Sequence, residues 1–261
     1  MPFFQTPDGC RLFVEMEGEG PPLVLIAGLG GSATFWNAHR PFLRDHYRLI
    51  LFDHRGAGRS DRPEQAYSVE GMAKDVIAVL DHFEVERAHI VGHSTGGAIS
   101  QVLALDAAER LGKLVLSGTW DKADYRFKIL FDVRVQVLER MGASAYQDLT
   151  NVLGFAAEWM NEHEKELDEA TSAAMNNLDP ISVTAARIRM LLDFDRANEL
   201  HRILAPTLVI GADDDAMVPA YYAERLSAAI PGATLRRFNG GHFFPRVHAQ
   251  AFCAEILEFL R

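Results

Sequence analysis

Three stretches of the chain are apolar without interruption, Leu23–Ala27, Leu49–Phe52 and Leu114–Leu116 leading to Gly118, and a fourth, Ala88–Gly92, is broken only by His89. Runs of this length with no polar alternation predict strands covered on both faces, the mark of a parallel sheet. Between them the period changes. Met72, Val76, Ile77, Leu80 and Phe83 recur close to every 3.6 residues and predict a helix from about Ser68 to Phe83. A small-residue helix follows Ser94, and a short one lies near Pro41 to His46. At the start, Phe3–Thr6 and Arg11–Glu17 flank Pro7-Asp8-Gly9, which reads as a hairpin. Strand and helix alternate again at the end: strand Pro206–Ile210, helix Ala220–Ile230, strand Ala233–Phe238, helix His248–Leu260. From about Trp120 to Leu204 no strand pattern occurs. Helical patterns fill that block, over Phe127–Met141, Ala143–Val152, Glu158–Ala174 and Ile181–Leu200.

Short alternation of buried strands and helices predicts an α/β protein, a mostly parallel, doubly wound sheet with right-handed crossovers. The helical block then reads as a lid inserted over the carboxyl edge of the sheet. The expected division is 1–119 and 205–261 for the core and 120–204 for the lid.

Composition narrows the class. The chain of 261 residues is 48% hydrophobic and 24% charged, as a soluble globular enzyme would be. A formal net charge of −10, spread along the chain, speaks against nucleic acid or anionic lipid as partners. No apolar run reaches the length of a membrane span, and the first residues carry no signal-peptide pattern. With only Cys10 and Cys253, a reducing, cytoplasmic setting is expected.

The candidate chemistry sits where the third buried run ends. Gly92-His93-Ser94-Thr95-Gly96 fits G-x-S-x-G, a strained strand-to-helix turn that pushes a serine hydroxyl into the cleft. Such a serine needs a base, and the base needs an orienting acid, both from later strand-end loops. His242, in Gly240-Gly241-His242 after the last strand, is placed for the base; His93 and His248 are not. The acid is sought in Asp213-Asp214-Asp215. Counting from Pro206, or back from Val218-Pro219, selects Asp215, whereas counting from Gly211 selects Asp214. Asp121, after the preceding strand, is a third candidate. The developing oxyanion would take its hydrogen bonds from the backbone amides of Thr95 and of Leu29, the latter held between Gly28 and Gly30.

Gly28-Leu29-Gly30-Gly31, Asp53-x-Arg55-Gly56-x-Gly58-x-Ser60, the serine turn, Asp215 with Val218-Pro219, and Gly241-His242 together resemble the α/β-hydrolase superfamily, in order and over the whole chain. The resemblance implies an eight-stranded sheet, a Ser94-Asp215-His242 triad, and a structural rather than catalytic role for Asp53 and Arg55. Serine at the turn, where aspartate would imply dehalogenase or epoxide hydrolase chemistry, implies hydrolysis of an ester, lactone or amide-like bond. Many relatives have His-Gly where this chain has Ala27-Gly28. The small lid and the Leu-Gly-Gly-Ser loop are most similar to aminoacrylate hydrolases and 3-oxoadipate enol-lactonases. C–C hydrolysis, perhydrolysis and a non-catalytic small-molecule receptor use the same scaffold. A dinucleotide-binding reading rests on Gly28-x-Gly30-x-x-Ala33 and Asp53, but Trp36, Asn37 and Pro41 interrupt the helix it requires. No cofactor or metal is expected, and the expected partner is a small molecule, with the chain a monomer or homodimer. Among the lid arginines, Arg126, Arg134, Arg187 and Arg189 are candidates to hold a substrate carboxylate, though most should be solvated.

Overall fold

The apolar runs form the middle of one sheet. Its strands are β1 (Phe3–Gln5), β2 (Arg11–Glu17), β3 (Pro22–Ile26), β4 (Arg48–Phe52), β5 (Ala88–His93), β6 (Leu111–Ser117), β7 (Thr207–Ala212) and β8 (Thr234–Phe238). They lie in the order β1-β2-β4-β3-β5-β6-β7-β8. The first hairpin and the β2–β4 pair are antiparallel, and every later pair is parallel. The computed structural model describes residues 2–177 and 180–261; Leu178 and Asp179, inside the expected lid, lie outside it.

Alternation is hidden inside each apolar run because both faces of the sheet are covered. Val24, Ile26, Ile50, Ile90, Leu114 and Leu116 pack with Val76, Val79, Ile99 and Val102. Those partners come from α2 (Val69–His82) and α3 (Thr95–Asp106), which follow the short α1 (Arg40–Leu43) in the chain. Leu23, Leu25, Leu49, Leu51, Val91 and Val115 face the other way, onto Trp36, Leu43, Phe252 and Ile256. Each such side chain contributes roughly 1.5–3 kcal/mol when fully buried, so this two-sided burial dominates the fold. Ser68 caps α2 by accepting from the Gly71 amide (3.0 Å), which accounts for a helix starting where the pattern begins.

The helical block lies between β6 and β7. Its first element, α4 (Tyr125–Gly154), is capped by Asp124, which accepts from the Phe127 amide at 2.9 Å. Gly142, at φ 84°, breaks it into the two helices expected from the pattern. The next expected helix is divided. α5 (Ala157–Glu162) and α6 (Glu164–Asn177) meet at His163, whose ring stacks on Trp159 at 3.9 Å and pairs through Nδ1 with the Trp159 carbonyl (2.8 Å). The helix expected over Ile181–Leu200 also stops early. α7 (Ile181–Arg189) ends, and residues 194–196 run antiparallel to 121–123: the Phe194 carbonyl accepts from Ala123 and the Asp121 carbonyl from Arg196. That pairing needs extended backbone, so only a 3₁₀ segment, Ala197–Arg202, resumes afterwards.

After β7 come α8 (Tyr221–Ala229), β8, a four-residue α9 (Phe244–Val247) and α10 (Ala249–Leu260). The extra turn α9 has Pro245 in its first turn, where proline favours helix initiation, and His248 separates it from α10.

Candidate active site

β5 ends at the centre of the sheet, and its last residues decide the site. Ser94 adopts φ 55° and ψ −119°, a conformation non-glycine residues rarely take and that costs on the order of 1–3 kcal/mol. The surroundings hold it there: its amide donates to the Ser117 carbonyl at 2.8 Å, and its carbonyl accepts from Gly97 at 2.9 Å. The two flanking glycines permit the turn. A Cβ at Gly92 would press onto the Gly96 carbonyl and Ser100 Oγ, and one at Gly96 onto the Ile26 carbonyl.

His242 comes to Ser94 from the loop after β8. Ser94 Oγ–H is within hydrogen-bond reach of His242 Nε2 (2.9 Å), while His242 Nδ1–H donates to Asp215 Oδ2 at 2.8 Å. With the Nδ1 proton committed to the carboxylate, Nε2 carries the lone pair facing the serine. Asp215 is buried, and its other oxygen accepts from the Met217 and Val218 amides, each at 2.8 Å. The three side chains meet from the ends of β5, β7 and β8, 148 and 27 residues apart in sequence.

The alternative acids have other partners. Asp214 accepts from the Gly240 and Gly241 amides at 3.0 Å and thereby ties down the loop that carries His242. Asp213 pairs with Arg237 on the surface. Asp121 is buried against Arg225 (2.7 Å), and burial raises its pKa. Sequence reasoning missed the part played by Asp214, since nothing local marks a carboxylate whose partners lie 26 residues on.

Leu29 and Thr95 line the same cavity as Ser94 and His242, and neither amide donates to a backbone carbonyl among the described residues. Thr95 opens α3, so its amide lies at the positive end of the helix dipole. His93 also borders the cavity, but its ring stacks on Phe35 (5.0 Å) and its Nδ1 pairs with Ser117 Oγ (3.1 Å). Burial, and then the neighbouring His242, hold its pKa well below the ordinary histidine value, so it stays neutral beside His242.

Asp53, the acidic residue of the dinucleotide reading, is fully buried and occupied. Its carboxylate accepts from the Ala33 amide (2.8 Å) and the Arg59 amide and Nε (2.9 and 2.8 Å). Burial alone would raise its pKa; the Arg59 contacts outweigh it and keep the group ionised. It fastens a turn and has no hydrogen-bonding capacity to spare for a ribose.

The cavity holds about 370 Å³. Its floor is the Gly28–Ser32 loop and the serine turn; the helical block supplies Phe131, Arg134, Tyr146, Gln147, Thr150 and Leu191. Of the arginines considered from sequence, Arg126 donates to the Ala216 carbonyl, Arg189 pairs with Glu139, and Arg187 donates to the Gly56 carbonyl. Arg134 faces the cavity.

A mostly parallel sheet with a serine on the strand-to-helix turn, a histidine and an aspartate on later strand ends, and a helical insertion defines a hydrolase scaffold. The family model for the alpha/beta hydrolase fold matches residues 21–249, and the chain belongs to that family, as its motifs led us to expect. Among curated relatives, it is 37% identical to the putative carbamate hydrolase RutD of Caulobacter sp. (strain K31), covering 98% of this chain and 97% of that protein. It is 35% identical to the RutD of Azorhizobium caulinodans, covering 99% and 98%. Among solved structures, the enol-lactonase from Burkholderia xenovorans LB400 superposes with a TM-score of 0.92 at 25% identity, over 99% of each chain. A hydrolase from Pseudomonas aeruginosa PA01 gives 0.88 at 29% identity, over 99% of this chain and 97% of that one. The likeness to enol-lactonases expected from the lid and glycine loop is thus present in three dimensions. Among the described residues no helix is long and apolar enough to cross a membrane.

Proposed function

We propose that this chain is a cofactor-independent serine hydrolase that opens an ester, lactone or amide-like bond, carbamates included, of a small molecule through an acyl-enzyme. The observation that carries the reading is the continuous hydrogen-bonded path from Ser94 Oγ through His242 to Asp215, at 2.9 and 2.8 Å, at the edge of a cavity. Ser94 attacks the carbonyl carbon while Nε2 of His242 takes its proton. Asp215 keeps the imidazole in the required tautomer and stabilises the imidazolium. The Leu29 and Thr95 amides receive the oxyanion, each such donor being worth about 3–4 kcal/mol of barrier. His242 passes the proton to the leaving oxygen or nitrogen, the acyl–oxygen or acyl–nitrogen bond breaks, and water activated by the same base releases the acid. The block 120–204 acts as the lid that sets specificity and excludes water. The carbamate named for the putative RutD relatives and the enol-lactone named for the structural neighbour both have a carbonyl flanked by a heteroatom leaving group, which supports this reading. Two buried, unpaired thiols, Cys10 and Cys253, suit a cytoplasmic enzyme.

Intact-mass analysis after fluorophosphonate treatment tests the proposal. One adduct per chain is expected on the wild type and none on Ser94→Ala, which should also lose ester hydrolysis by about 10⁴–10⁶-fold in kcat. Folded wild-type protein that takes no label would overturn it.

A further inference from the structure

A histidine on a loop serves as a base only while its main chain is held, since a displacement of about 1 Å costs roughly 100-fold in rate. Three backbone amides hold the loop that carries His242. Those of Gly240 and Gly241 donate to Asp214, on the loop after β7, at 3.0 Å. That of Phe243, the residue after His242, donates instead to the helical block, to the Gly154 carbonyl at 2.8 Å. Gly154 is the last residue of α4. Carbonyls in the last turn of a helix have no partner within it, so this one can take a donor from another element.

The approach is close enough that glycine is needed on both sides. A Cβ at Gly154 would run into the Phe243 ring and lie 3.2 Å from Met217 Cε. A Cβ at Gly241 would lie 2.6 Å from the Gly154 carbonyl oxygen. Behind the contact, Phe155 packs on the Phe243 ring (4.8 Å) and stacks on Trp159 (4.3 Å). Arg246 lies over Phe155 and pairs with Glu166 of α6 at 2.9 Å. The same helix also reaches the loop of Asp215. From the first half of α4, Arg126 donates to the Ala216 carbonyl and Arg134 to Met217 Sδ, and the Met217 amide donates to Asp215. The loops that carry His242 and Asp215 are therefore both fastened to α4.

We propose that Gly154 is a positioning residue for the base: its carbonyl, acting through the Phe243 amide, fixes where Nε2 of His242 meets Ser94 Oγ. The helical block then serves the reaction as well as covering the cavity. Drawing the end of α4 away from the loop removes the acceptor beside His242, so a covered cavity and an aligned base come and go together. The inference rests on the serine-hydrolase reading for the role of His242, but the hold on the loop does not depend on that reading.

Gly154→Ala is the direct test, with 4-nitrophenyl acetate as substrate. Its kcat and its rate of fluorophosphonate labelling at Ser94 should both fall by about 10–100-fold. KM should change little, because Gly154 is not among the residues lining the cavity. Hydrogen exchange at the Phe243 amide should quicken by at least roughly tenfold as its acceptor is displaced. In a Phe243→Leu background, where the ring no longer opposes the added methyl, Gly154→Ala should cost less than about threefold in kcat. A glycine that merely ended the helix would cost the same in both backgrounds. Trp159→Leu withdraws the stack behind Phe155 from outside the cavity, and should move exchange and kcat in the same directions by a smaller factor. It decides the matter if Gly154→Ala does not fold. Lys165→Gln, on the exposed surface of α6, should leave both readouts as in wild type. Faster exchange at Phe243 with undiminished kcat and labelling, or an equal loss in both backgrounds, would refute the positioning role. So would wild-type exchange and kcat in both Gly154→Ala and Trp159→Leu. A wild type whose Phe243 amide is protected but whose Ser94 takes no fluorophosphonate would instead refute the hydrolase reading and leave the hold on the loop standing.

Discussion

Asp213, Asp214 and Asp215 are consecutive, yet each carboxylate answers a different demand: a surface ion pair, a loop's amides and an imidazole. The division gives two distinguishable substitutions. Asp215→Asn should lower kcat about 10⁴-fold with little change in KM, because the amide favours the wrong imidazole tautomer. Asp214→Ala removes the acceptor for Gly240 and Gly241 and frees the His242 loop, so kcat should fall by about 10–100-fold while Ser94 still labels, slowly. Steady-state kinetics beside labelling rates separate the two; equal losses would mean that both act through the loop. At this scale much was legible. The Val218-Pro219 anchor led to Asp215 because the chain folds back there to lay the Met217 and Val218 amides on the carboxylate. Asp214's partners, and the placement of Arg134 at the cavity, depend on which distant segments meet. No local pattern records that.

Among the elements, the turn from β5 into α3 is the most constrained. Gly96→Ala would drive a methyl onto the Ile26 carbonyl of the neighbouring strand, and backbone there cannot yield as a side chain would. We expect a loss of about 1–3 kcal/mol or more in urea unfolding, with labelling of Ser94 reduced as the turn shifts. A Gly96→Ala protein of full stability and reactivity would show that the close packing is not required. The central strands β3 to β7 were readable because two-sided burial leaves them with few polar positions, and the break in α4 because glycine at φ 84° stops a helix on its own account. The breaks at His163 and after Arg189 were not readable. One comes from a histidine stacked on the preceding turn, the other from an extended pairing with residues 121–123.

For the molecule as a whole, acid is the natural stress. Burial depresses His39 to about 4 and His54 to about 3, the latter helped by the charge of Arg187, and holds His93 lower than ordinary as well. All three are neutral in the folded state, whereas in the unfolded chain they take up protons near pH 6.5, roughly the ordinary histidine value. The unfolded state therefore binds more protons between these values, and stability is whole above about pH 6.5 and drains away as pH falls toward about 4. For His39 alone the loss between about pH 7.5 and 5 should be on the order of 1–2 kcal/mol, read as a lower urea midpoint. A midpoint that holds or rises over that range would contradict neutral burial of these rings. The arrangement of the chain also bears on descent. The groups placed to react sit on strand ends before and after the helical block, while one unbroken stretch between β6 and β7 roofs the cavity. Changes inherited in that stretch would reshape the wall of the cavity and spare the turn on which the serine stands. Descendants of one ancestral gene can thus part company over what they consume while still sharing a chemistry.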